Sequence, residues 1–180
     1  MPTQQTLFMM AAMTSMVWAS MAALSQSKIK RLMAYSGIVN VGYLLMGLAS
    51  ASISSTISII IYLLVYLFMN IAFFSTILGN QFKKSGLLNV YLRDMVNLGK
   101  TNLPLGLAIV IILFSMIGIP PLAGFFSKLY LFFAAVNSDL YFLAILGLLS
   151  SGLAAFYYLR IIKIIFFESS KNYSLYKEMD

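Results

Sequence analysis

The chain is 180 residues long, has neither Cys nor His, and is 61% hydrophobic with a mean hydropathy of +0.92 and only 9% charged residues. A soluble domain carries roughly a quarter charged residues, so the composition excludes one and leaves room for about five or six crossings of about 20 residues each, with none for a soluble catalytic domain. Without thiols or imidazoles it offers no disulfide, iron–sulfur, zinc-thiolate or haem ligation, and its net charge of +7 reads as loop topology rather than as a nucleic-acid surface.

The start, MPTQQT, lacks the basic region of a secretory signal, so the first apolar run, residues 7–24, reads as a retained helix. It closes at a polar cluster carrying Lys28, Lys30 and Arg31. A second run, 32–51, ends in the uncharged stretch Ser50, Ser52, Ser54, Ser55, Thr56. The third, 57–79, leads into the longest polar connection, 80–101, with Lys83, Lys84, Arg93, Asp94 and Lys100. The fourth covers 102–136 and is followed by a turn at Asn137, Ser138 and Asp139; the fifth, 140–167, precedes a charged tail. When the loops are assigned to sides alternately, all basic regions fall on one side and Asp139 alone on the other. The positive-inside bias then places the N-terminus outside and the C-terminus inside. The expectation is an all-α integral membrane protein of five transmembrane helices forming one membrane domain, 1–180. A tyrosine-rich and isoleucine-rich chain without Cys points to an organelle, so the mitochondrial inner membrane is expected, with the N-terminus toward the intermembrane space, or else a bacterial plasma membrane.

The fourth segment cannot be a straight helix, which would be about 50 Å long against a hydrocarbon core of about 30 Å. Its centre reads SMIGIPPLAGFF. Pro120 and Pro121 lack amide donors and clash with the preceding turn, Ile119 before them is pushed from the helical region, and Gly118 and Gly124 add backbone freedom on either flank. The spacing predicts two half-helices, discontinuous at Gly118–Pro121. Such a break must be packed in protein or line a hydrated cavity, and broken helices at mid-depth are a common construction in ion-coupled transporters. Lys128, about two turns beyond the break, is the only ionisable group placed at membrane depth. Either it snorkels to an interface, or it is a buried lysine whose charge state answers to its surroundings and lies on a proton path. The chain's own carboxylates lie in loops or near helix ends. Asn40, Tyr66 and Asn70 are further candidate proton-path groups, with interhelical hydrogen bonding as the plainer account. Tyr35, Tyr43, Tyr157 and Tyr158 read as packing or interface aromatics, and the 12 methionines as core filling.

Three stretches carry a resemblance: ALSQSKIKRLMAYSGIVNVGYLLMGL (23–48), SMIGIPPLAGFFSKLYLF (115–132) and FYYLR (156–160). At this separation they closely resemble the antiporter-like membrane subunits of respiratory complex I, NADH:ubiquinone oxidoreductase, in its subunit 2 lineage. The likeness covers nearly the whole chain but only the C-terminal part of such subunits. It implies an antiporter-like five-helix repeat, with Lys128 at the position of the lysine that follows the GIPP break on the family's central hydrophilic axis. It also implies proton translocation coupled to quinone reduction, with no cofactor in this chain and flavin, iron–sulfur clusters and quinone in other subunits. The implied partners are other membrane-arm subunits, phospholipids and a separate chain carrying the first repeat. The family's glutamate and further lysines from earlier helices are not in this sequence, nor is its final helix. Where the pattern has a second serine and a histidine, this chain has Gly37 and Asn40. A cation/proton antiporter or membrane-bound hydrogenase subunit, or a non-pumping structural subunit, are the alternative readings.

Overall fold

The structure, a computed structural model, describes residues 2–81, 91–96 and 98–168. Among the described residues there are seven α-helices: α1 (Pro2–Leu24), α2 (Ile29–Ser50), α3 (Ile53–Gln81), α4 (Leu98–Thr101), α5 (Leu103–Ile117), α6 (Ala123–Asn137) and α7 (Tyr141–Phe166). A single 3-10 turn, Leu92–Met95, precedes α4. Lys83, Lys84 and the tail beyond Glu168 lie outside the described residues. Among the described residues four helices are long and apolar enough to cross a membrane, Thr3–Leu24, Ile29–Ser50, Ile53–Ile77 and Tyr141–Phe166, while α5 and α6 are shorter apolar helices. The all-α membrane fold expected from the sequence is therefore present.

The first three helices start earlier than their apolar runs do. α1 takes in the polar TQQT stretch, where the Thr6 hydroxyl donates to Thr3 O at 2.9 Å. The serine-rich stretch, read as a connection, contains the start of α3. Ala51, at φ 48°, ends α2. The Ser55 N–H then donates to Ser52 Oγ and the Ser52 N–H to Ser55 Oγ, both at 3.1 Å. This reciprocal pair is a capping box built from two serines, and it turns the chain within two residues.

α1 packs along α2 through Gly42, where a Cβ would fall 2.6 Å from Ser15 Oγ and 2.7 Å from Met16 Cγ. Close approach of this kind, through small residues, is how helices associate where lipid replaces water. At one end of the bundle the Leu92 N–H donates to Ser27 O, Lys28 lies over the Tyr91 ring, and Arg160 Nη1 donates to Leu24 O at 3.3 Å. Lys28, Lys30, Arg31, Arg160 and Lys163 thus gather at that end. At the other end Ser138 Oγ donates to Ser50 O at 3.1 Å, fastening the end of α6 to the end of α2, with Asp139 beside it.

Two buried clusters fill the interior. One, nearer the basic end, includes Leu32, Phe73, Met95, Leu113, Tyr157 and Ile161. The other includes Met16, Val39, Tyr43, Met46, Tyr62 and Leu131. Met16, Met33, Met46, Met95 and Met116 are buried core members, whereas Met10 and Met21 are exposed. The outer faces carry large apolar side chains, among them Trp18, Leu64, Phe68, Ile71, Ile145 and Phe156, as a bilayer-facing or partner-facing surface requires.

Candidate functional site

The site is made by the interruption between α5 and α6. Each of these helices has 15 residues, about 22 Å at 1.5 Å per residue, so neither spans a core of about 30 Å alone. α5 stops at Gly118, whose φ of 92° is a left-handed conformation that a side chain resists. Ile119, Pro120 and Pro121 follow, the Pro120–Pro121 bond being cis, and α6 begins at Ala123 with Leu122 as its extended cap. Gly124 plays a different part from the backbone freedom expected of it: it lies inside α6, where a Cβ would overlap the Ser115 carbonyl oxygen. Only glycine lets the start of α6 cross α5 at that distance, and the Gly124 N–H donates to Ser115 Oγ at 3.3 Å.

The last carbonyls of a helix have no partner within it, and the C-terminal end carries partial negative charge. Lys128 supplies both needs for α5. Its Nζ donates to Met116 O at 2.7 Å and to Ile117 O at 3.0 Å, and the residue is only 7% exposed. Its stem runs past Gly118, where an added Cβ would stand 3.4 Å from Lys128 Cδ. The lysine does not reach out to an interface: it bends back to cap the half-helix on the other side of the break. Lys128 also borders a mostly apolar cavity of about 410 Å³, lined in part by Ile117, Gly118, Phe125, Phe132 and Ser151.

On its remaining side the ammonium faces α2, with Nζ 5.6 Å from the centroid of the Tyr43 ring. Tyr43 belongs to a layer of buried aromatic and hydroxyl groups contributed by three helices. Ser150 Oγ donates to Gly147 O at 2.8 Å and shares a 3.0 Å hydrogen bond with the Tyr43 hydroxyl. The Tyr62 ring stands edge-on to Tyr43 and is stacked with Tyr66, and the Tyr62 hydroxyl donates to Asn40 Oδ1 at 2.7 Å. Further toward the basic end, Tyr157 and Tyr158 are buried side by side with ring centroids 4.6 Å apart. Of the groups singled out in the sequence, Asn40 and Tyr66 join this layer. Asn70 uses its amide on its own helix, donating to Tyr66 O at 2.9 Å. Tyr157 and Tyr158, read as packing or interface aromatics, are packed in the core; Tyr43, read the same way, is core-packed and also hydrogen bonded to Ser150, and Ser150 carried no signal of its own. Buried tyrosine hydroxyls need partners; that of Tyr43 lies 107 residues away in sequence and that of Tyr62 lies 22 away. Among the described residues no group of three or more His, Cys, Asp or Glu could hold a metal ion.

A helical multi-pass membrane chain, folded around a broken helix whose loose carbonyls are capped by a buried lysine, is the class that this geometry defines. The chain belongs to the family described as NADH:quinone oxidoreductase/Mrp antiporter, TM, whose model matches residues 1–154. It is 43% identical over 182 residues to the NADH-ubiquinone oxidoreductase chain 2 of Marchantia polymorpha, covering 99% of this chain and 36% of that one. Among solved structures it resembles a chain of respiratory complex I from Thermus thermophilus with bound Aureothin, at a TM-score of 0.72 and 29% identity, over 90% of this chain and 36% of that one. A chain of the Mrp complex from Dietzia sp. shares the fold, with a TM-score of 0.82 at 24% identity over 92% of this chain and 30% of that one. The chain spans about a third of the length of these relatives.

Proposed function

We propose that the chain is a membrane-arm subunit of a proton-translocating NADH:quinone oxidoreductase and that Lys128 is a proton-carrying group on its central axis. The observation that carries this reading is a single ammonium, 7% exposed, holding the carbonyls of a helix interrupted within an apolar segment. An intramembrane ionisable group is costly to keep and is characteristic of ion and proton pathways. Interrupted helices are the usual way such pathways expose backbone dipoles at mid-depth. The similarity to NADH-ubiquinone oxidoreductase chain 2 supports the same assignment.

On this reading α5 and α6 together make the fourth of five crossings, an antiporter-like five-helix repeat within one membrane domain. The basic end faces the matrix and the Asp139 end the intermembrane space, in the mitochondrial inner membrane. Gly118, Pro120, Pro121 and Gly124 maintain the break. Lys128 takes a proton from one side and yields it toward the other when a neighbouring charge changes; Asn40, Tyr66 and Asn70 border its route. Quinone reduction and the flavin and iron–sulfur chemistry belong to other subunits, and this chain binds none of those groups. Its partners are further membrane-arm subunits, one of them carrying the first repeat, together with phospholipids.

The test is K128A in the assembled complex: coupled proton translocation during NADH oxidation falls while assembly on a native gel is retained. Unchanged translocation would refute the role of the lysine and favour a structural subunit. The family's inclusion of Mrp antiporters and the shared fold favour a second reading, a cation/proton antiporter subunit. Mass spectrometry of the native complex separates the two, since flavin and iron–sulfur subunits accompany the chain only on the first.

A further inference from the structure

We propose that Tyr43 is a positioning residue for Lys128, offering the face of its ring to the ammonium while α7 holds that ring in place. The inference rests on the reading of Lys128 given above and deepens it. A lysine ammonium has three hydrogens to place and no acceptor capacity. Two are accounted for by Met116 O at 2.7 Å and Ile117 O at 3.0 Å. The third side of the group faces the Tyr43 ring at 5.6 Å, within the range at which an aromatic face attracts a cation, and burial strengthens that attraction.

The ring cannot turn aside. Its hydroxyl is engaged by Ser150 at 3.0 Å and lies 3.4 Å from Gly147 O, and its edges meet Tyr62 and Phe132, both rings near perpendicular to it. Tyr43 is 1% exposed, so the face it shows to Lys128 is fixed by helices on three sides. The two carbonyls at the negative end of α5 favour the charged lysine, and the ring face adds an attraction that also acts on the ammonium alone. Tyr43 thereby links the charge state of the lysine to α3 and α7.

The experiment measures, in membranes holding the assembled complex, the share of NADH-coupled proton translocation that depends on Lys128, defined as the part lost in K128A. Y43L, which keeps a side chain without an aromatic face, is expected to lower that share about tenfold. Y43F, which keeps the face and loses only the hydroxyl, retains most of it. In a K128A background Y43L changes nothing further, because the two act through one another. If Y43L does not assemble, Y43M carries the same expectation. A Y43L complex with full translocation, or one in which Y43L costs as much with Lys128 absent as with it present, overturns the proposal. Full translocation in K128A itself would instead refute the reading of Lys128, a separate outcome.

Discussion

Two of the helix breaks among the described residues are made by related means and to opposite ends. At Ala51 and at Gly118 a residue of positive φ stops a helix, and each stop leaves backbone groups in need of partners. Between α2 and α3 the solution is local: Ser52 and Ser55, three residues apart, satisfy one another's amides. Between α5 and α6 the exposed groups are carbonyls, and the partner is a lysine in the second turn of the next half-helix, itself faced by an aromatic ring from α2. The first break reverses the chain at the edge of the bundle with side chains close at hand. The second holds an interrupted helix in the interior, and it draws on three separate elements. Unpaired backbone groups, amides at one break and carbonyls at the other, are answered locally or from a distance.

Substitutions can strain that contrast from either side. The largest effect is expected from G124A. Its methyl would overlap the Ser115 carbonyl oxygen, and backbone cannot yield as a flexible side chain does, so the crossing of α5 and α6 opens. The expected outcome is loss of the subunit from the assembled complex on a native gel. Normal assembly would show that the close crossing is dispensable.

K128M comes next. It preserves the bulk of the stem but leaves Met116 O and Ile117 O without their donor, at about 1–3 kcal/mol for each stranded group. A lowered midpoint in thermal unfolding of the solubilised complex is expected, together with the loss of translocation. An unchanged midpoint would mean that these carbonyls find other partners.

The smallest effect belongs to the local break. S52A removes one arm of the serine pair and should cost about 1 kcal/mol, read as faster deuterium uptake at the first turn of α3 with translocation untouched. If S52A instead impaired translocation, the division between a structural break and a functional one would fail.

Much of the second break was legible in the sequence, because its signals are local and strong. A double proline interrupts an apolar run too long for one crossing, and a lone lysine follows within two turns. The lysine's direction was not legible. Whether Lys128 snorkels outward or turns back depends on where α5 ends relative to α6, which follows from the Gly118 conformation and the Gly124 contact. The polar layer was only partly readable for a related reason. Asn40 and Tyr66 stood out as polar groups in apolar helices, but Tyr43 is drawn into the site by Ser150, 107 residues away, and no spacing within α2 encodes that. Asn70, also a polar group in an apolar helix, donates its amide to Tyr66 O one turn back. The serine-rich stretch misled as to where α3 begins, because serine disfavours helix interiors yet favours their first turn.

The lysine-bearing half-helix is tied down at both extremities. Gly124 wedges its start against the Ser115 carbonyl, and Ser138 pegs its finish to Ser50 at the end of α2. A rod clamped at two points neither slides nor tilts freely, so α6 holds its lysine at one depth. Any reorientation of the ammonium is then a matter of the four torsions of a single side chain, a movement about the size of a rotamer.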